Sequence, residues 1–163
     1  MEVTKKWISL YVENQVGVLA KISGLFSGKS YNLQSLTVGE TEDPTVSRMT
    51  IGLLSDDITF EQIKKQLNRC VEVIKVVDFT NAATRMREIL FIKVNNCSLD
   101  DKEEIFRLAQ VFGLDVVDYS GGSLLVECIK NEDDNNEMVQ LFNRTFPNRI
   151  EVVRGGNVAI ERA

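Results

Sequence analysis

The chain contains no histidine. That removes the commonest general base and the commonest metal ligand, so neither a zinc site nor a Ser-His or Cys-His nucleophile is expected. Cysteine is scarce: Cys70, Cys97 and Cys128 stand far apart with no Cys-x-x-Cys spacing. They are expected as buried or partly buried free thiols. There is no basic excess. The net charge is −5 and the sequence pI about 4.9, whereas a nucleic-acid binder usually shows a basic stripe, so no nucleic-acid partner is expected. Long apolar runs are missing, so no segment is expected to span a bilayer. The lysines at Lys5 and Lys6 are not followed by the apolar core of a signal peptide, which makes the cytoplasm the expected compartment.

What is present suits a globular protein. Hydrophobic residues make up 44% and charged residues 26% of 163 residues, enough apolar material for one medium domain or two small ones. Residues 6–13 alternate, with Ile8, Leu10 and Val12 on one face, and read as a half-buried strand. A polar turn, Asn14-Gln15-Val16-Gly17, precedes an amphipathic helix whose stripe is Val18, Leu19, Ile22, Leu25 and Phe26. Gly28 is its expected stop. Strands are expected over 31–38 and 46–54, joined by a turn containing Asp43-Pro44. A second helix is expected to open on a capping box, Thr59 to Gln62, with Ile58 and Ile63 as a hydrophobic staple. A strand over 71–79 completes a β-α-β-β-α-β order.

After a polar linker at 80–86 the pattern recurs. A strand at 88–94 leads to a helix capped by Ser98 with Asp101 three residues on, its stripe Ile105, Phe106, Ala109 and Phe112. Gly113 ends this helix, and Gly121-Gly122 joins a hairpin. A helix with an acidic first turn runs over 131–146 until Pro147. A last strand at 150–154 is expected to resume at 158–160 after Gly155-Gly156. The fold class is α+β, two ferredoxin-like units of roughly 75 residues each. Units this small have marginal cores and open sheet edges, so a homodimer is the expected minimum.

Two stretches carry candidate function. Asn14 to Gly17 is either an ordinary strand-helix turn with an asparagine cap or a site. As a site, free amides and the positive end of the helix dipole suit a carboxylate, and Gly17 permits close approach. Asn14 can accept from an ammonium and donate to a carboxylate. Asn32 would add a second amide, and Val16, Val18 and Leu33 an apolar lining of aliphatic size. The second stretch, residues 41–48, is a solvated hairpin loop, a metal or catalytic pair of acids, or a partner contact. As a contact it would use Glu42, Asp43, Pro44, Arg48 and Met49. The acidic runs Asp100-Asp101 and Glu132-Asp133-Asp134 are explained by the helix dipole, and the glycine pairs by turns. Trp7 reads as a packing residue.

These stretches resemble a known family. Val12-Glu13-Asn14-Gln15-Val16-Gly17-Val18-Leu19, Gly24-Leu25-Phe26-Ser27, Tyr31-Asn32-Leu33-Gln34-Ser35-Leu36-Thr37-Val38 and Asp43-Pro44-Thr45-Val46-Ser47-Arg48-Met49-Thr50 resemble the small regulatory subunit of acetolactate synthase. Gln62-Ile63-Lys64-Lys65-Gln66-Leu67 and Arg87-Glu88-Ile89 continue the match. The motifs cover the first part of the chain most strongly. The resemblance implies that residues 1–79 form an ACT domain, 80–86 a linker and 87–163 a C-terminal ferredoxin-like domain. It implies pairing of two ACT domains, with valine or a related branched-chain amino acid bound at their interface. It implies no catalysis on this chain and no cofactor of its own. Thiamine diphosphate, FAD and Mg are expected on a separate large catalytic subunit, which this chain would activate and subject to feedback inhibition. Carried over by motif, Asn14, Gly17 and Asn32 are the effector-binding residues, with Val18, Leu19 and Leu33 lining the site. Ser30 departs from the family's glycine before the Tyr-Asn pair, and serine tolerates positive φ poorly. The alternative is a free-standing ACT-type amino-acid sensor acting on transcription or another enzyme.

Overall fold

In a computed structural model of the chain, residues 2–27 and 32–163 are described, Asn32 by its backbone alone. The first half runs β1 (Thr4–Glu13), α1 (Val18–Ser27), β2 (Asn32–Glu40), β3 (Val46–Ser55), α2 (Asp57–Asn68) and β4 (Val73–Asp78). The second runs β5 (Thr84–Asn95), α3 (Leu99–Phe112), β6 (Asp115–Tyr119), β7 (Ser123–Lys130), α4 (Glu132–Thr145) and β8 (Ile150–Glu161). The β-α-β-β-α-β order is therefore present twice. Each half builds a four-stranded sheet, β2-β3-β1-β4 and β6-β7-β5-β8, with the same spatial order. The pairs β1–β3, β1–β4, β2–β3, β5–β7 and β6–β7 are antiparallel.

Period-2 alternation places one core in each unit. In the first, Ile8, Leu10 and Val12 of β1 and Met49, Ile51 and Leu53 of β3 meet Val18, Ile22 and Phe26 of α1 and Phe60, Ile63 and Leu67 of α2. In the second, Leu90, Ile92 and Val94 meet Ile105, Leu108 and Ala109 of α3 and Met138 and Phe142 of α4. The opposite face of the first sheet carries Trp7, whose ring lies so close to Gly52 that a Cβ there would meet it at 2.5 Å. Trp7 is thus a packing residue. Cys70, Cys97 and Cys128 are free thiols, the last buried; burial pushes the Cys128 thiol up from its ordinary value.

Several boundaries differ from the sequence reading. Helix α2 starts earlier than Thr59. Its cap is Asp56, whose carboxylate accepts from the Thr59 N–H at 2.8 Å and the Thr59 hydroxyl at 2.9 Å. Ile58 then points to solvent and forms no staple. An aspartate three residues before Thr59 offers a stronger acceptor than the threonine itself. In α3 the Ser98–Asp101 capping box is present and Gly113 is left-handed, φ 66°. Its buried stripe is Ile105, Leu108 and Ala109, while Phe106 and Phe112 are exposed. Phe106 lies beside Tyr119, ring centroids 6.5 Å apart. Strand β4 begins at Val73 because Cys70–Val73 forms a turn. Gly28, Ser30 and Tyr31 lie outside the described residues.

The chain divides into Met1–Arg85 with Asn157–Ala163, and Met86–Gly156. The sequence reading runs the second domain over 87–163 after a linker at 80–86. Instead β5 already starts at Thr84 inside that linker, and β8 continues through Gly155 and Gly156 in one piece. A Cβ on Gly155 would meet Ile89 at 2.7 Å, which is why a glycine stands there without breaking the strand. The last residues join the first unit. The Asn157 N–H and side-chain amide donate to Ser35 Oγ at 3.0 and 3.3 Å, and Thr37 Oγ1 donates to the Asn157 carbonyl at 2.7 Å.

Candidate functional site

The corner between β1 and α1 is built by a change of backbone state. Strand β1 ends at Glu13, whose N–H donates to Glu72 O at 2.9 Å. The chain turns through Asn14 and Gln15, and Gly17 takes φ +86° before α1 begins at Val18. Nothing stands within 4 Å of a Cβ placed on Gly17, so the glycine answers a backbone requirement and leaves open space above it. Helix α1 has no acidic residue in its first turn. The Val18 N–H donates to Gln15 O at 3.4 Å, and among the described residues no side-chain bond to the first amides of α1 is seen. The positive end of a helix dipole without acidic neighbours in its first turn favours an anion.

The expected site residues separate into distinct environments. Asn14 is exposed, and its side chain does not cap α1. It reaches across to the β2–β3 loop, where Nδ2 donates to Pro44 O at 3.0 Å and to Glu40 Oε2 at 3.3 Å. Its backbone N–H donates to Thr45 O at 2.8 Å. Val16 is fully exposed and Leu19 about half exposed, forming an apolar rim at the helix start. Val18 is buried in the core, so what it offers the corner is its backbone. Leu33 is half-buried against the same core. The Asn32 side chain lies outside the described residues.

The loop expected to meet a partner is a tightly bonded turn. The Asp43 carboxylate accepts from the Thr45 N–H at 3.0 Å and hydroxyl at 2.7 Å. Those bonds hold the Asp43 carboxyl below its ordinary value. Thr41 Oγ1 donates to Val46 O, and Val46 N–H donates to Asp43 O. Glu42, Asp43 and Pro44 are exposed. Met49 is not part of this surface: it faces the helices on β3 and is completely buried. Arg48 points to the other face of β3. Its Nε donates to Ser9 Oγ at 2.8 Å, its guanidinium lies over Tyr11 and Phe79, and it pairs with Glu161 at 3.5 Å. Arg48 is thus an internal organiser of the first unit. Beside the loop, a cleft of about 340 Å³ opens between Tyr11, Val46, Ile74 and Lys75.

Sequence reasoning missed Glu40, Thr45 and Asn157. Their roles depend on contacts 26 to 122 residues away in the chain, which no local pattern encodes. It also missed a buried knot in the second unit. Glu88 is buried and accepts from Arg154 at 2.6 and 3.0 Å and from the Asn135 amide at 3.2 Å. The acidic start of α3 has a partner beyond the helix dipole, since Arg149 donates to Asp101 at 2.7 Å. Among the described residues no group of three or more His, Cys, Asp or Glu is placed to hold a metal ion. No described helix is long and apolar enough to cross a membrane.

Comparison with known proteins shows the family. Residues 8–75 match the model of the acetolactate synthase small subunit-like ACT domain, and residues 87–163 match that of the small subunit of acetolactate synthase. The acetolactate synthase small subunit of Aquifex aeolicus is 40% identical, covering 99% of this chain and 83% of its own length. That of Haemophilus influenzae is 35% identical over 97% of this chain and 96% of its own. The crystal structure of the small subunit from Thermotoga maritima superposes with a TM-score of 0.86 at 33% identity, covering 98% of both chains. The chain belongs to the acetolactate synthase small subunit family, with an ACT domain in its first half and that family's own C-terminal domain in its second.

Proposed function

We propose that this chain is the non-catalytic regulatory subunit of acetolactate synthase. It binds a large catalytic subunit, raises that subunit's activity, and makes it sensitive to valine or a related branched-chain amino acid. Thiamine diphosphate, FAD and Mg belong to the catalytic subunit in this reading. The observation that carries it is the full-length relationship to small subunits of this enzyme. The corner geometry supports the effector role. A helix N-terminus without acidic residues and the primary amide of Asn14 suit the carboxylate and ammonium of a free amino acid. The exposed Val16 and Leu19 suit an aliphatic side chain, or the matching corner of a second ACT domain in a homodimer. The effector acts by population shift, favouring an arrangement that couples less productively to the catalytic subunit. Such coupling is typically about 1–3 kcal/mol.

The test is reconstitution. The catalytic subunit is assayed for acetolactate alone, with this chain, and with this chain plus valine, leucine or isoleucine. The reading requires activation by the chain, inhibition by at least one amino acid only when the chain is present, and no acetolactate from the chain alone. Unchanged activity on adding the chain would sink it.

A further inference from the structure

The last residues of the chain bond to the outer face of the first sheet, and β2 is bent to receive them. Strict alternation from Leu33 would turn Ser35 inward and Leu36 outward. Instead the pairing of β2 with β3 slips between Leu33 and Ser35. Leu33 and Leu36 therefore both pack against the core, and Ser35 comes to the outer face opposite Gly52. There its hydroxyl accepts from the Asn157 N–H at 3.0 Å and side-chain amide at 3.3 Å, while Thr37 Oγ1 donates to the Asn157 carbonyl at 2.7 Å. Both main-chain groups of Asn157 are thus held by side chains of β2, an edge strand of its sheet. Farther on, Glu161 pairs with Arg48 at 3.5 Å, and the Arg162 N–H donates to Ala83 O at 2.9 Å.

The hold is polar. On this face the sheet presents Thr37, Thr50 and Ser9 in register across β2, β3 and β1, in place of the aliphatic residues of its inner face. Of the segment's own side chains Asn157 and Ala159 are buried, while Val158 and Ile160 are more than half exposed. Lifting the segment uncovers little apolar area, so its closure rests on a few hydrogen bonds rather than on hydrophobic burial. Gly156, immediately before it, takes φ +82°, a backbone state that glycine adopts freely. We propose that residues 157–161 are a reversible latch on the first unit, hinged at Gly156 and caught by the Ser35 and Thr37 hydroxyls, and that β2 loosens when the latch opens. The bulge leaves β2 short of ladder bonds beside Ser35, and β2 has β3 as its one strand neighbour. The two hydroxyl contacts anchor it at that weak point, so the C-terminal segment sets the local stability of β2. The latch is independent of the effector reading of the corner.

Hydrogen exchange on the full chain tests this, read at the Asn157 amide and at the amides of β2. Ser35→Ala removes the acceptor of the Asn157 N–H, and Thr37→Val removes the donor to its carbonyl. Each should speed exchange at Asn157 and along β2 together, by about tenfold for the loss of roughly one net hydrogen bond. Exchange in β6 and β7 should stay unchanged. Less than about a twofold change along β2 in either variant, well short of one bond, overturns the latch. Acceleration along β2 with Asn157 unchanged also overturns it, since the effect would then lie within the strand. A chain ending at Gly156 completes a double-mutant cycle. Without the segment β2 should exchange at least as fast as in Ser35→Ala, and adding Ser35→Ala should change it no further. If β2 is as protected without the segment as with it, or if Ser35→Ala speeds it equally in both chains, the latch is overturned. Should the shortened chain not fold, the two full-length variants decide by themselves.

Discussion

At the scale of the residue, two glycines are held for opposite reasons. Gly17 sits at φ +86° with open space around its Cβ position, and Gly52 sits beneath the Trp7 ring. Gly17→Ala should cost about 1–2 kcal/mol from backbone strain alone, read as a shift in urea midpoint with the m-value unchanged. Gly52→Ala should cost about 1–3 kcal/mol through overpacking, with a change in tryptophan fluorescence that Gly17→Ala lacks. Asp101 gives a pH signature. The Arg149 side chain and the Ser98 N–H bond its carboxylate and lower its pKa to about 2. A carboxyl with a folded value below its unfolded one adds stability above the unfolded value. That stability disappears as pH falls from near 3.8 toward 2. Asp101→Asn should therefore be less stable than the unmodified chain at neutral pH, and the two should converge near pH 2. A gap that persists at pH 2 would mean that the residue acts through something other than its charge.

At the scale of the element, the start of α2 shows how local signals compete. Thr59 and Gln62 satisfy the capping-box spacing, yet the helix begins two residues before Thr59, because Asp56 bonds both the backbone and the hydroxyl of Thr59. Asp56→Ala should cost about 1 kcal/mol, the usual value of a lost N-cap, and Gln62→Ala should cost much less. Chemical denaturation of both variants decides which residue is the cap. In α3 the capping box and the glycine stop stand where the sequence puts them. The helix phase differs, since Leu108 is buried while Phe106 and Phe112, both expected in the stripe, are exposed. Both phases put apolar residues at helical spacing, and only the sheet beneath selects between them.

At the scale of the whole molecule, the two hydrophobic clusters are separate. Met49 belongs wholly to the first. Met49→Ala should cost about 2–5 kcal/mol, as for a buried large-to-small change. Hydrogen exchange should place the loss in β1, β3, α1 and α2, with β5, β7 and α3 protected as before. Equal loss in both sets would show that the two cores unfold as one.

The sequence alone determined the order of elements, the repeat and the inward faces of the central strands. Those follow from alternation, capping residues and glycines, which act within a few positions of one another. The turn between β1 and α1, with its glycine at Gly17, was legible for the same reason. Tertiary structure alone decided what the polar side chains do. Arg48 could face a partner or its own sheet, and packing against Tyr11, Phe79 and Ser9 turned it inward. Asn14 could cap a helix or hold a distant loop, and the position of Pro44 settled that. Asn157 joined the first unit through Ser35, far away in the chain. Hydrophobic burial is read from periodicity because any apolar partner satisfies it. A hydrogen bond needs one particular atom within about 3 Å, and only the folded chain brings that atom there.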